Sequence, residues 1–483
     1  MTARMSLAEL LGGLVDEVPA VMVTGLCLDS RQLRPGEAFI ALAGTSSHGM
    51  AHVPEAIERG AAVIIHDGRG PRPLLDLPQV MLPGLSGRLP ELARLMWGRS
   101  VDSLKLTAVT GTNGKTSVAW LLAQMLEGAV IGTLGSGRPG TLEPASLTTP
   151  DIFSVYRRLA ELAAEGLSTV AIEASSHALD QGRLEGLSWR ETVFTCLGHD
   201  HLDYHVDLTA YGEAKARLFI DHQSGFRLIN VDDEFGRELA ARLSGQHSII
   251  RFGLDPAHRP DVTAELISAD GTGLTALLRL DGREFEVHSR LLGRVNLYNL
   301  LIVATIAQLR GIESDEIAER MARLEPVPGR MQPVSGPNGR SVVIDYAHTP
   351  DALNTALASL RPDCAGQLWC VFGCGGNRDR AKRPLMGRIA ESLADRVILT
   401  DDNPRHEDGL AIIREIQAGM TRPERCRVIR DRAEAIRYAV TRASGDDLVL
   451  IAGKGHETEQ IIGDRRLPFS DQQVVRQALE DAA

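Results

Sequence analysis

The run Thr110-Gly111-Thr112-Asn113-Gly114-Lys115-Thr116-Ser117 places glycines, a lysine and hydroxyls within eight positions. Glycines let backbone N–H groups approach phosphate oxygens, and a helix N-terminus adds partial positive charge. Lys115 would put a compact ammonium on the terminal phosphates, and Thr116 would offer a hydroxyl to Mg2+. Val109 stands where the strict phosphate-loop pattern has glycine, so the loop is a variant. A second group carries acids and imidazoles. Glu173, in Glu173-Ala174-Ser175-Ser176-His177, closes a predicted strand, and a carboxylate at a strand's carboxyl end can hold Mg2+. The polar run from His199 to His205, which includes His201, follows the apolar stretch Val193 to Leu197; turn chemistry and capping are the alternative for both. About ten residues past that cluster stands Lys215, whose surroundings also read as a solvated helix face.

Lysine is scarce. Of 52 basic residues only Lys105, Lys115, Lys215, Lys382 and Lys454 are lysines. Where arginine supplies nearly all positive charge, each remaining lysine raises the question of whether its position needs a primary amine.

These groups need elements to hold them. A length of 483 residues suggests about three domains. Residues 1–103 read as a small α/β unit with strands at Ala38 to Leu42 and Ala61 to Ile65. Residues 104–330 open with a buried strand from Leu104 to Val109. A helix from about Ser117 to Leu126 follows, then a strand from Thr169 to Glu173. Hairpins over about 250–290 turn at Asp270-Gly271 and Asp281-Gly282, and a helix capped by Ser314 runs to Leu324. The Pro326-Val327-Pro328-Gly329 stretch reads as a hinge. Residues 331–483 repeat the alternation, with strands at Ser341 to Ile344, Leu368 to Phe372, Val397 to Thr400 and Leu448 to Ala452. Strands alternating with helices make parallel sheets, whose ligands sit at the carboxyl ends of strands. The predicted class is therefore α/β, with a central P-loop-type parallel sheet.

Composition removes several functions. The net charge of −11 excludes a nucleic-acid protein with a wholly basic surface, leaving local anion sites open. No 18-residue apolar run predicts a membrane span, and no basic-then-apolar leader is visible, so a cytoplasmic protein is expected. The six scattered cysteines lack paired zinc spacing and read as reduced thiols.

Taken together, the motifs resemble the Mur ligase family of ATP-dependent amide-bond ligases. The resemblance rests on residues 110–116, 173–177 and 200–205, together with Asn296-Leu297-Tyr298-Asn299 and Pro328-Gly329-Arg330-Met331. It continues through Asp345-Tyr346-Ala347-His348-Thr349-Pro350, Asp402-Asn403-Pro404-Arg405 and Ala452-Gly453-Lys454-Gly455-His456-Glu457. It implies a domain for the UDP end of a substrate, an ATP domain, and a Rossmann-like domain that closes over them. The implied reaction adds meso-2,6-diaminopimelate to UDP-N-acetylmuramoyl-L-alanyl-D-glutamate through an acyl phosphate, in a monomer using ATP and two Mg2+ ions. The alternatives are a lysine-adding homologue, a polyglutamate-type ligase or an NTPase switch.

The resemblance also implies roles. Lys215 would carry a CO2-derived carbamate, which requires a neutral primary amine and would join His201 at one metal; Thr116 and Glu173 would serve the other. Arg330 would reach phosphate only after closure. Asn296 and Asn299 would meet the base, Asp345 the ribose, and His348 would shape that pocket. Leu28, Ser30, Thr45, Ser46 and Ser47 would contact the uridine and pyrophosphate. Thr148, Thr149, Ser175, Gln181 and Arg183 would contact the muramoyl-dipeptide. For diaminopimelate, Arg378 and Arg405 would hold a carboxylate and Asp402 and Asn403 the ammonium, with Pro404, Gly453 and Glu457 completing the pocket. Leu147 and Cys196 depart from the family pattern, in which Asn is common at both positions.

Overall fold

The computed structural model describes residues 4–44, 47–71, 76–201, 204–245, 248–270, 273–336 and 341–481. Thr45, Ser46, Leu202, Asp203 and Gly271 lie outside the described residues. The chain packs as two compact units. One holds residues 1–110, 127–192 and 214–226; the other holds 111–126, 193–213 and 227–483.

In the first unit, the four short strands Leu26–Cys27, Ala38–Ala41, Val63–His66 and Gln79–Met81 pair in parallel in that order. The central two are buried along their whole length, as expected of parallel strands covered on both faces. A second run of strands is ordered Thr141–Glu143, Gly135–Arg138, Ala129–Gly132, Thr169–Glu173 and Lys105–Thr110. The last three pair in parallel, bringing Glu173 opposite Val109 at the carboxyl edge. The next residue but one after Val109 is Gly111, where the phosphate loop begins. The amphipathic helix Ile152–Ala164 starts at Asp151, whose carboxylate accepts from the N–H groups of Phe153 and Ser154.

The second unit opens with the helix Lys115–Met125, two residues earlier than expected, because Gly114 in the left-handed region (φ 86°) turns the chain directly into it. Strands Thr263–Asp270, Gly273–Leu280 and Arg283–Ser289 form the expected antiparallel meander. Asp281 and Gly282 both have positive φ, the requirement of a two-residue hairpin turn. The following helix is Ser314–Ala322, with Glu313 at the capping position and no side-chain cap bond. Ser314 is thus the first helical residue rather than the cap, while Asp315 and Glu316 do occupy the first turn.

The six-stranded sheet of this unit has the order Gln332–Ser335, Ser341–Asp345, Leu448–Ala452, Leu368–Phe372, Arg396–Leu399, Arg427–Val428. Only its first pair is antiparallel. Apolar side chains pack on both faces of this sheet. Four loops leave the carboxyl ends of adjacent parallel strands, beginning at Tyr346, Gly373, Thr400 and Gly453, and they carry most of the third-block candidates.

Candidate active site

The phosphate loop is propped from beneath by residues 195–198. Thr112 N–H donates to the Cys196 carbonyl at 2.8 Å, Gly198 N–H to Thr112 Oγ1 at 2.8 Å, and Thr195 Oγ1 to the Asn113 carbonyl at 2.5 Å. A Cβ on Gly111 would lie 1.9 Å from Thr195 Oγ1, so the loop has room only for glycine there. Cys196 contributes its backbone carbonyl, and its Sγ also lies 3.8 Å from the Asn113 carbonyl, so the unusual side chain leaves this support intact. Lys115 Nζ donates to the carbonyls of Gly111 at 2.7 Å and Thr112 at 2.9 Å. Those are neutral acceptors, which an incoming phosphate would outcompete.

Arg330 Nη2 lies 3.5 Å from Thr116 Oγ1, and its guanidinium stacks on the Tyr346 ring at 4.4 Å. It therefore lies beside the phosphate loop, within reach of the Thr116 hydroxyl. Met331, with positive φ, donates its N–H to one Asp345 oxygen at 2.7 Å, and Ala347 donates to the other at 2.8 Å. Burial pushes the Asp345 carboxyl up, and the nearby Arg330 opposes the shift. Gly329 (φ 67°) brings the preceding turn so close to the 453–457 loop that a Cβ would strike His456 N at 2.1 Å. Asn296 and Asn299 are buried on the helix Val295–Leu309. Neither caps it: Asn296 donates to the Leu292 carbonyl at 2.7 Å, and Asn299 donates to Asn296 Oδ1 at 2.7 Å. A Cβ on Gly114 would sit 3.7 Å from Asn299 Oδ1, which places that amide beside the phosphate loop.

His348 Nδ1 lies 2.8 Å from the Tyr346 carbonyl, and Lys382 Nζ donates to the His348 carbonyl at 2.9 Å. Burial, with help from Lys382, pulls the His348 imidazole down to about 4; burial and Arg330 do the same to His456. Both rings flank Tyr346, with centroids 4.5 and 5.1 Å away.

In the first unit, Glu173 is 1% exposed. Thr133 holds both its oxygens, through its N–H at 2.7 Å and its hydroxyl at 3.2 Å. The candidates from 148 to 183 form one connected cluster. Thr148 Oγ1 meets Thr133 Oγ1 at 3.0 Å, Thr149 Oγ1 donates to the Glu173 carbonyl at 2.6 Å, and Ser175 N–H donates to Thr149 Oγ1 at 3.1 Å. Arg183 donates to the Thr149 carbonyl at 2.8 Å and to Gln181 Oε1 at 2.6 Å. Leu147 is half exposed. Lys215, in the helix Leu208–Ile220, is 1% exposed, so the solvated-face reading is wrong. His201 has positive φ (54°) and a side chain 45% exposed, 3.5 Å from Asp200. Ser30 donates to Glu55 Oε2 at 2.6 Å, Ser47 Oγ lies 2.9 Å from His52 Nε2, and Leu28 is half-buried.

The Asp402-to-Arg405 segment and the 453–457 loop converge. Lys454 is fully buried, 2.8 Å from Glu457 Oε2 and 3.1 Å from Asn403 Oδ1; Asn403 Nδ2 donates to the same Glu457 oxygen at 2.8 Å. Burial alone would raise the Glu457 carboxyl, but Lys454 and Asn403 outweigh it and lower it. Asp402 is buried and raised, with Arg432 and Lys454 opposing the shift. A Cβ on Gly453 would sit 2.5 Å from Asp402 Oδ2. Arg405 Nη1 donates to the Gly376 carbonyl at 2.9 Å, and Arg378 is exposed on the neighbouring loop. The residues that sequence reasoning missed are supports: Thr133, Thr195, Arg383, Glu407 and the buried Arg432–Asp471 pair. Only an acid two positions past Arg405 signalled any of them.

Three family models match the chain: the Mur ligase middle domain over residues 109–307, the Mur ligase glutamate ligase domain over 329–455, and the Mur ligase family catalytic domain over 22–77. A relative from Alkalilimnicola ehrlichii is 46% identical over 95% of this chain and 95% of its own, and one from Xanthomonas campestris pv. campestris is 44% identical over 99% and 98%. This chain belongs to the Mur ligase family. It is an ATP-dependent ligase that forms carbon–nitrogen bonds. Both relatives are named UDP-N-acetylmuramoyl-L-alanyl-D-glutamate--2,6-diaminopimelate ligase, as is a solved structure 36% identical that matches with TM-score 0.70 over 100% of this chain and 99% of its own. A MurF ligase from Thermotoga maritima in complex with ADP shares the Mur ligase fold at 18% identity, with TM-score 0.64 over 95% of this chain and 97% of its own. Among the described residues, no helix is long and apolar enough to cross a membrane, and no group of three or more His, Cys, Asp or Glu gathers as a metal site.

Proposed function

We propose that this chain joins meso-2,6-diaminopimelate to the D-glutamate carboxylate of UDP-N-acetylmuramoyl-L-alanyl-D-glutamate in the cytoplasm, as a monomer. The observation that carries the reading is the near-full-length identity to relatives of that name. The arginine-bearing Asn403-Pro404-Arg405 turn beside the ion pair of buried Lys454 with half-buried Glu457 supports it. Residues 1–103 take the UDP end, 104–330 take ATP, and 331–483 take the amino acid.

A carboxylate resists amines because its leaving group would be oxide. Transfer of the γ-phosphoryl group makes an acyl phosphate, whose leaving group is phosphate. Bringing two anions together requires cations, and Lys115 and Arg330 supply fixed ones from this chain. Mg2+, when bound, would neutralise phosphate charge. The hydroxyl of Thr116 and the carboxylate of Glu173 are hard oxygen donors of the kind Mg2+ takes, and His201 with a carbamylated Lys215 would form the second set. Asn296, Asn299, Asp345 and His348 bind adenosine. Leu28, Ser30, Thr45, Ser46 and Ser47 bind the UDP end, and the Thr148–Arg183 cluster binds the dipeptide. Glu457 and Asp402 accept from an ammonium, and Arg405 with Arg378 forks a carboxylate that lysine lacks.

The test is phosphate release with the UDP-dipeptide, ATP and a panel of diaminopimelate, lysine and glutamate. Diaminopimelate should give turnover that the other two do not match. Equal turnover with lysine would move the assignment to the lysine-adding class, and release without any amino acid would favour an NTPase switch.

A further inference from the structure

Two loops at the carboxyl ends of the adjacent parallel strands Leu368–Phe372 and Arg396–Leu399 carry Arg378 and Arg405. They are laced together. Gly376 N–H donates to the Asn403 carbonyl at 2.9 Å, Arg405 Nη1 to the Gly376 carbonyl at 2.9 Å, and His406 N–H to Asn377 Oδ1 at 3.1 Å. Asn377 and Arg405 both sit in the left-handed region, at φ 52° and 51°. Asparagine adopts that region readily, whereas an arginine stays there only where the surroundings over-determine it.

Arg383, in the first turn of the helix Lys382–Leu393, supplies that determination. Its side chain is fully buried, and both terminal nitrogens are partnered while the buried Nε has no hydrogen-bond partner. Nη1 and Nη2 take the two Glu407 oxygens at 2.9 and 3.0 Å, Nη1 also takes Glu415 at 2.8 Å, and Nη2 donates to the Gly375 carbonyl at 3.2 Å. Glu407 in turn accepts from Asn377 N–H. One guanidinium therefore binds both loops, through the Gly375 carbonyl on one and Glu407 on the other. A lysine could not make the bidentate contact.

We infer that Arg383 and Glu407 are positioning residues that set the spacing of Arg378 and Arg405, and so the preference for an amino acid with a distal carboxylate. Neither touches the substrate. The inference rests on the amino-acid assignment proposed above.

The test is steady-state kinetics of the full-length Glu407→Gln and Arg383→Lys variants with diaminopimelate, lysine, ATP and the UDP-dipeptide, alongside thermal melts. Misplacing the two guanidinia should raise the diaminopimelate KM roughly ten- to hundredfold while the ATP KM moves by less than about twofold. The diaminopimelate-over-lysine preference should narrow by a similar factor. Should Glu407→Gln not fold, Arg383→Lys decides by the same readings. A KM rise shared equally by ATP and diaminopimelate, or an unchanged preference over lysine, would overturn the inference. Wild-type enzyme that uses lysine and not diaminopimelate would overturn the functional reading, and this inference with it.

Discussion

The phosphate loop and the amino-acid loops both hold positive charge, half-buried at the first and largely buried at the second, and they balance it differently. At the phosphate loop, Lys115 donates to two carbonyls of its own loop, and Arg330 lies against a hydroxyl and an aromatic face with the Asp345 carboxylate nearby. At the amino-acid loops, carboxylates do the holding: Arg383 with Glu407 and Glu415, Arg432 with Asp471, Lys454 with Glu457. Neutral acceptors are easily exchanged for phosphate oxygens, so the first region is suited to anions that arrive and leave. Carboxylate partners lock geometry, so the second is suited to discrimination.

The largest expected effects lie in the first region and its metal support. Lys115→Met should cut kcat roughly a thousandfold while leaving the diaminopimelate KM nearly unchanged. Lys215→Arg should do comparable damage, because a guanidinium cannot form a carbamate. Wild-type turnover in Lys215→Arg would remove the carbamate from the account.

The second region should answer in stability. Arg432 and Asp471 are both fully buried, with bonds of 2.7 Å between them. Asp471→Asn should cost about 3 kcal/mol in denaturant unfolding, because it strands a buried cation. The double change Arg432→Met with Asp471→Leu should cost less than the single one. If the single change were the milder, the pair would not be the lock described.

The smallest effect is a pH slope. Burial lowers His348 and His456 to about 4, below the ordinary histidine value. The unfolded chain therefore takes up these protons first. Stability from this source is complete above about pH 6.5 and falls as pH drops toward 4, by about 1.4 kcal/mol per pH unit for each ring. His456→Gln should flatten that slope in unfolding measurements between pH 7 and 4. An unchanged slope would show that this ring does not titrate as its burial requires.

The fold class and the elements that carry the candidate groups were legible in the sequence because both depend on local pattern. Strands Thr169–Glu173, Leu368–Phe372 and Leu448–Ala452 fall where their apolar runs end, and Gly114-Lys115-Thr116 marks a helix start by chemistry alone. Supports were not legible. Nothing in the spacing of Thr133 and Glu173 shows that one holds the other, or that Arg432 meets Asp471 across 39 positions. Ser314 was misread because propensity favours serine as a cap, whereas the turn admits Glu313. The count of five lysines did point inward: Lys215 and Lys454 are buried, and Lys115 and Lys382 hold loop carbonyls. Why Lys454 is not arginine has a physical answer in the structure, since a single compact ammonium satisfies Glu457 and Asn403 together.

The division of labour is tested most directly by Arg405→Lys, with KM measured for diaminopimelate and ATP on the same preparation. A point charge replacing the fork should raise the diaminopimelate KM by roughly tenfold or more with the ATP KM unchanged. Equal increases in both would contradict the account.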